Sequence, residues 1–262
     1  MPAFNFGAVL SRFFRLIGEN AALFALLGLV GTVLPTVVLS GALYSALGLA
    51  RLPWSESFTM SPLYTGLSIA GSGLIVFVLS LLNQSMVTEA TILRAVGKPV
   101  EVSSLIRHAL GNFLPLFAVL ILTALLYLLG LALFVIPCFF WMICTCVAVP
   151  VRVGEPSLGI LGSIQKSFDL TRGHRWWLLL IWFVALLAGG MISSAVNGTV
   201  AVATLSSYRE DNLANALPAQ LVSAATSGVM TVLANIFTAA VYVTLRESKD
   251  KLSPETAASV FE

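Results

Sequence analysis

The chain has 262 residues, of which 58% are hydrophobic and only 10% charged, with a mean hydropathy of +0.96. Soluble domains carry about 25% charged residues, so a water-soluble enzyme and a disordered chain are both excluded. The net charge of +2 is too small to point to nucleic acid as a partner.

A spanning helix needs about 20 largely apolar residues. Taken in chain order, the first uncharged run covers residues 20–50 and the second 57–88, most apolar at 63–82. Residues 113–151 carry no charge over 39 positions. One helix of that length would measure about 58 Å, too long for a bilayer core of about 30 Å. Pro137 lies inside it, so two helices are expected, about 113–135 and 138–152, with a tight turn at Ile136, Pro137 and Cys138. The fifth and sixth spans fall at 176–205 and 213–245. The expected fold class is thus all-α: a polytopic membrane protein of six transmembrane helices. The first run is too long for the 7–15-residue core of a signal peptide.

Charge placement agrees with an even number of spans. Twelve of the 14 Lys and Arg residues fall on the side of the termini, and only Arg51 and Arg209 on the other. Positive charge stays cytoplasmic, so both termini are expected in the cytoplasm and the protein in a bacterial inner membrane.

Three short amphipathic segments precede outgoing spans: residues 4–18, 102–111 and 157–173. Aligning Gly18, Gly111 and Gly173 also aligns Val9, Val102 and Ile164, and Phe13, Ile106 and Phe168. Glycine is favoured just past a helix end because it adopts left-handed angles. Three hairpin units, about 1–95, 96–153 and 154–246, followed by a polar tail 247–262, would account for the pattern. The alternative is that any cytoplasmic amphipathic helix looks this way. In the third segment Ser157 suits an N-cap, and residues 172–177 combine arginine, histidine and tryptophan as the headgroup level requires.

Small and polar residues recur every four positions. Span five carries Ala185, Gly189, Ser193, Asn197 and Ala201, and span six Ala219, Ser223, Ser227, Thr231, Asn235 and Ala239. Span one carries Gly28, Thr32, Thr36, Ser40, Tyr44 and Gly48, and span two Ser68, Ser72, Ser80, Gln84 and Thr88. Such ridges let helices approach and bond across their interface, or else line a polar cavity. The intramembrane polar candidates are Asn83, Gln84, Asn197 and Asn235. Spans three and four lack the rows and read as a lipid-facing hairpin.

No catalytic motif accompanies His108 or His174, and Cys138, Cys144 and Cys146 show no metal or redox spacing. Neither cofactor nor metal is expected, and a non-enzyme is the favoured class. Arg152, Glu155, Asp169, Arg172, His174 and Arg175, with Glu89, form a candidate site for an anionic headgroup or a partner. The plainer reading is solvated loop charge, with a local pair between Asp169 and Arg172 or Arg175 contributing about 0–1 kcal/mol.

Pro150, Glu155, Ser167, Leu170, Thr171, Gly173 and Trp176 carry a likeness. With them, residues 147–181 resemble the glycerophosphoryl diester phosphodiesterase membrane domain and related bacterial membrane proteins. Phe13, Phe14, Gly18 and Asn20 match more weakly. The resemblance implies a membrane part only. The phosphodiesterase barrel sometimes joined to such domains needs roughly 250 residues, and only short loops lie outside these spans. The functional expectation is a membrane scaffold or partner subunit with lipid contacts and a protein partner or homo-oligomer. A carrier or channel for a neutral or amphipathic solute is the alternative.

Topology is directly testable. Single cysteines at Ser57 and Asn212, in a cysteine-free background, should label with an impermeant thiol reagent in whole cells. Labelling at Ser248 instead would invert the orientation.

Overall fold

A computed structural model describes residues 6–39, 62–133, 135–205 and 216–250. Every element among them is helical. The two loops expected on the far side, around residues 51–60 and 206–212, lie outside the described residues, as do Ser40, Tyr44 and Gly48. Among the described residues six helices are long and apolar enough to cross a membrane: Gly7–Leu39, Ala70–Ala95, Phe113–Leu133, Pro137–Gly154, Arg175–Val200 and Leu221–Lys249. The protein is an integral membrane protein of the all-α class.

Helix α1 (Phe6–Gly28) bends at Asn20, whose backbone is non-helical (φ −130°, ψ 25°). The amphipathic segment and the first span are therefore one element with a kink. Asn20 Nδ2 caps it by donating to the Leu16 carbonyl at 3.2 Å. A π-helical turn follows at Leu29–Val33. Helix α2 (Pro62–Ala95) is followed by the short α3 (Val102–Gly111). Gly18 and Gly111 stay inside helices; only Gly173 of the aligned three has a left-handed backbone (φ 91°). At the other two positions the asparagine that follows takes up the change in direction.

Residues 113–154 form three helices: α4 (Phe113–Leu133), α5 (Val135–Thr145) and α6 (Ala148–Gly154). The tight turn expected at Ile136, Pro137 and Cys138 is not there, since α5 already includes all three. Pro137 instead occupies the first turn of α5, where its missing N–H costs nothing. A second break, unexpected from hydropathy, separates α5 from α6. Pro150 explains it, because it has no N–H to reach the carbonyl of Cys146 four residues back. Ser167 Oγ bonds the Cys144 carbonyl left open by that break, at 2.8 Å. A 3-10 turn (Pro156–Leu158) leads to α7 (Gly159–Thr171), so Ser157 is a turn residue rather than the N-cap. Helices α8 (Arg175–Leu205) and α9 (Ala216–Asp250) complete the chain.

The described residues sort into two units. One comprises those within Met1–Phe24, Gln84–Leu186 and Val232–Glu262; the other those within Ala25–Asn83 and Leu187–Thr231. Helices α3 to α7 belong wholly to the first. Its core gathers Val9, Ile92, Ile143, Val151, Leu178 and Tyr242 from six helices. Phe237 receives Phe13 and Trp182 edge-to-face, at 5.6 and 5.7 Å between centroids. In the α4–α5 hairpin Tyr127 bonds Thr145 at 2.7 Å. Leu114, Leu125, Leu128 and Phe139 point outward, but the expectation of a lipid-facing hairpin fails for its second span, where Ile143, Cys144, Val147 and Val151 are buried, while α8 is the more exposed helix.

In the second unit, glycines set the approach of the Leu29–Val33 turn to α2 and α9. A Cβ on Gly31 would meet Asn83 Oδ1 at 2.3 Å, and one on Gly228 would meet Val33 Cγ2 at 2.6 Å. Gly228 lies off the expected four-residue row. Ser223, Ser227 and Thr231 of that row are exposed, whereas Gly189, Ser193 and Asn197 do sit on the more buried face of α8.

The α4–α5 hairpin turns on Gly130, where a Cβ would come within 2.7 Å of Cys138 Cα. Gly130→Ala should cost about 1–3 kcal/mol, because backbone must shift. Gly73→Ala, with nothing within 4 Å, should be neutral or stabilising by up to about 1 kcal/mol. Thermal unfolding in detergent checks both signs.

Candidate functional site

Helix α9 continues past the apolar run, and α2 likewise, so charged residues ride on the same rigid helices as the spans. Four residues apart on α9, Tyr242 and Arg246 share one face. Glu155 follows α6, in the corner left where Pro156 forbids a continuing helix. These three meet. Tyr242 OH donates to Glu155 Oε1 at 2.8 Å, Arg246 Nε lies 3.5 Å from the same oxygen, and Arg246 Nη1 donates to Tyr242 OH at 3.3 Å. Tyr242 is fully buried, and Gly154 leaves the space for its ring, since a Cβ there would sit 3.2 Å from the hydroxyl.

Two further ion pairs tie distant elements. Arg12 of α1 grips Glu247 of α9 with both carboxylate oxygens, at 2.7 and 2.8 Å, and reaches Thr244 at 3.2 Å. Glu89 of α2 meets His108 Nδ1 of α3 at 2.6 Å. Arg152 of α6 donates to Asn112 Oδ1 at 3.4 Å and to the Pro156 carbonyl. The charges expected as solvated loop groups thus divide. Arg152 and Glu155 are enclosed, whereas Asp169 and Arg172 are exposed.

The pair expected between Asp169 and Arg172 or Arg175 is not among the ion pairs of the described residues. Asp169 accepts from Lys249 through its backbone carbonyl, and Arg175 stacks its guanidinium 4.7 Å from the Phe140 ring centre. Burial, then the nearby charge of Lys249, holds the His174 imidazole below its ordinary pKa. The folded state therefore favours neutral His174. Its contribution is present above the ordinary histidine pKa and is lost as pH falls below it.

Of the intramembrane candidates, Asn83 is fully buried, and neither amide atom has a hydrogen-bond partner among the described residues. Asn235 is buried with Nδ2 in the same condition. Asn197 donates within its own helix to the Ser193 carbonyl at 2.9 Å, not to Asn235. Thr32, Thr36 and Thr231 also bond carbonyls four residues back. These three hydroxyls are satisfied by their own helices rather than by bonds across an interface. Gln84 is half-buried.

The sequence reading missed Tyr242. Its only signal was the Tyr–Arg spacing at the cytoplasmic end of span six. Among the described residues no three His, Cys, Asp or Glu side chains gather as a metal site. Compared with protein-family models, curated proteins and solved structures, the chain matches none.

Glu155→Ala should cost about 3–5 kcal/mol, because Arg246 loses its buried counter-charge. Arg172→Ala, on an exposed side chain, should stay within about 0.5 kcal/mol. Thermal unfolding of the purified variants separates the two.

Proposed function

We propose that the protein is a non-enzymatic, multi-pass protein of a bacterial inner membrane, serving as a scaffold or partner subunit with lipid contacts. The observation that carries this reading is how the acidic groups nearest the candidate site are used. Glu155 and Glu247 bind partners from helices distant in sequence, and Glu89 binds one from the next helix, so they act as clasps rather than as acids or bases poised beside a cleft. The likeness of residues 147–181 to the phosphodiesterase-associated membrane domain fits a membrane part that works with other proteins. The 12-to-2 distribution of Lys and Arg supports cytoplasmic termini, where a cytoplasmic partner would dock. Exposed Trp176 and Trp177 beside Arg175 support contact with headgroups.

A second reading, a carrier for a neutral or amphipathic solute, is favoured by Asn83. Its unbonded amide lies against Gly31 in a π-helical turn, and such turns recur at functional sites.

Affinity purification from cross-linked native membranes separates the readings. The scaffold reading expects one protein partner, or a second copy, in fixed ratio, and no hydrolysis of glycerophosphodiesters. Hydrolysis that survives purification and disappears in Glu155→Gln would sink it. Solute uptake into proteoliposomes, lost on Asn83→Leu, would favour the carrier.

A further inference from the structure

Helices α4 and α7 both begin at one buried cation. Arg152 Nη2 donates to the side chain of Asn112, which immediately precedes α4. Nη1 donates to the carbonyl of Pro156, which opens the turn into α7. Arg152 is only 7% exposed, and its Nε has no hydrogen-bond partner. Both of its acceptors are neutral oxygens. The nearby acids are engaged elsewhere: Glu155 with Tyr242 and Arg246, Glu247 with Arg12, and Glu89 with His108.

A buried cation without counter-charge is costly. The N-termini of α4 and α7 add partial positive charge beside it, partly offset by the C-terminal ends of α3 and α6. Along the same two helices runs an apolar groove of about 340 Å³. Leu122, Leu125, Leu126 and Leu129 of α4 and Leu161, Ile164 and Gln165 of α7 line it. Leu122 is ten residues from Asn112, about 15 Å along the helix, which is half the thickness of a hydrocarbon core of about 30 Å.

We infer that Arg152 and the α4–α7 groove form a binding site for an anionic phospholipid. The phosphate lies against Arg152, where α4 and α7 begin, and one acyl chain lies along the leucines. This deepens the proposed function and rests on its claim of lipid contact. Charge complementarity selects an anionic headgroup. The leucine-lined groove selects a lipid over inorganic phosphate, which has nothing to place there.

The test is thermal unfolding of the full-length protein in a neutral detergent. Phosphatidylglycerol, phosphatidylcholine with the same chains, or inorganic phosphate is added. Phosphatidylglycerol should raise Tm by several degrees, phosphatidylcholine and phosphate by far less. Arg152→Gln should remove the difference between the two lipids, whatever its own Tm. Leu125→Trp, which keeps the arginine and fills the groove, should shrink the phosphatidylglycerol shift. Equal shifts with both lipids, a full shift with phosphate alone, or an undiminished lipid-specific shift in Arg152→Gln would overturn the site. If Arg152→Gln does not fold, an unchanged shift in Leu125→Trp overturns it. A lipid-specific shift that is absent in an otherwise membrane-bound protein refutes this site alone. Broad failure of lipid contact would appear as release of the protein from membranes by salt or alkali.

Discussion

A carboxylate enclosed by protein constrains much of the first unit. Glu155 cannot be solvated by bulk water, so it must be met by donors, and Tyr242 and Arg246 supply them from a helix 87 residues away in sequence. The requirement fixes α6 against α9. It also explains the shape around it: Gly154 makes room for the Tyr242 ring, and Pro156 turns the chain away so that the carboxylate faces inward. A buried ion pair is not in itself strong evidence of stability, since apolar replacements can do as well. Its effect is on register. Few other placements of α6 would leave none of the three groups unmet.

The same logic repeats at the ends of α1 and α2. Arg12 holds Glu247 across 235 residues of sequence, and Glu89 holds His108 in the last turn of α3. Apolar packing alone would leave these helices free to slide, because lipid solvates leucine about as well as a neighbouring helix does. Polar clasps at one end and close glycine contacts elsewhere supply what hydrophobicity cannot. Gly31, Gly130 and Gly228 are the places where backbones or short side chains approach most closely.

The architecture was largely legible in the sequence because hydropathy acts over 20-residue windows. The six long apolar helices follow from it, whereas the amphipathic segment expected to end at Gly18 runs on into the first span through a kink at Asn20. What failed was local or distant in sequence. The α4–α5 break was placed at Pro137, but a proline tolerated in a first helical turn need not mark the turn itself. Pro150 sat in a run already called helical, and its effect on Cys146 appears only in the hydrogen-bond pattern. The four-residue rows overstated bonding between helices, since a threonine hydroxyl finds its own carbonyl four residues back. Arg152 and Glu155 were singled out together, but which partner each would take was not readable from spacing. Tyr242 looked like any aromatic residue near a membrane boundary.

If Glu155 and Arg246 act as one unit, a double-mutant cycle of Glu155→Ala and Arg246→Ala, read by chemical unfolding in lipid nanodiscs, should show strong non-additivity, with a coupling of about 1–3 kcal/mol. Effects that add to within about 0.5 kcal/mol would contradict it.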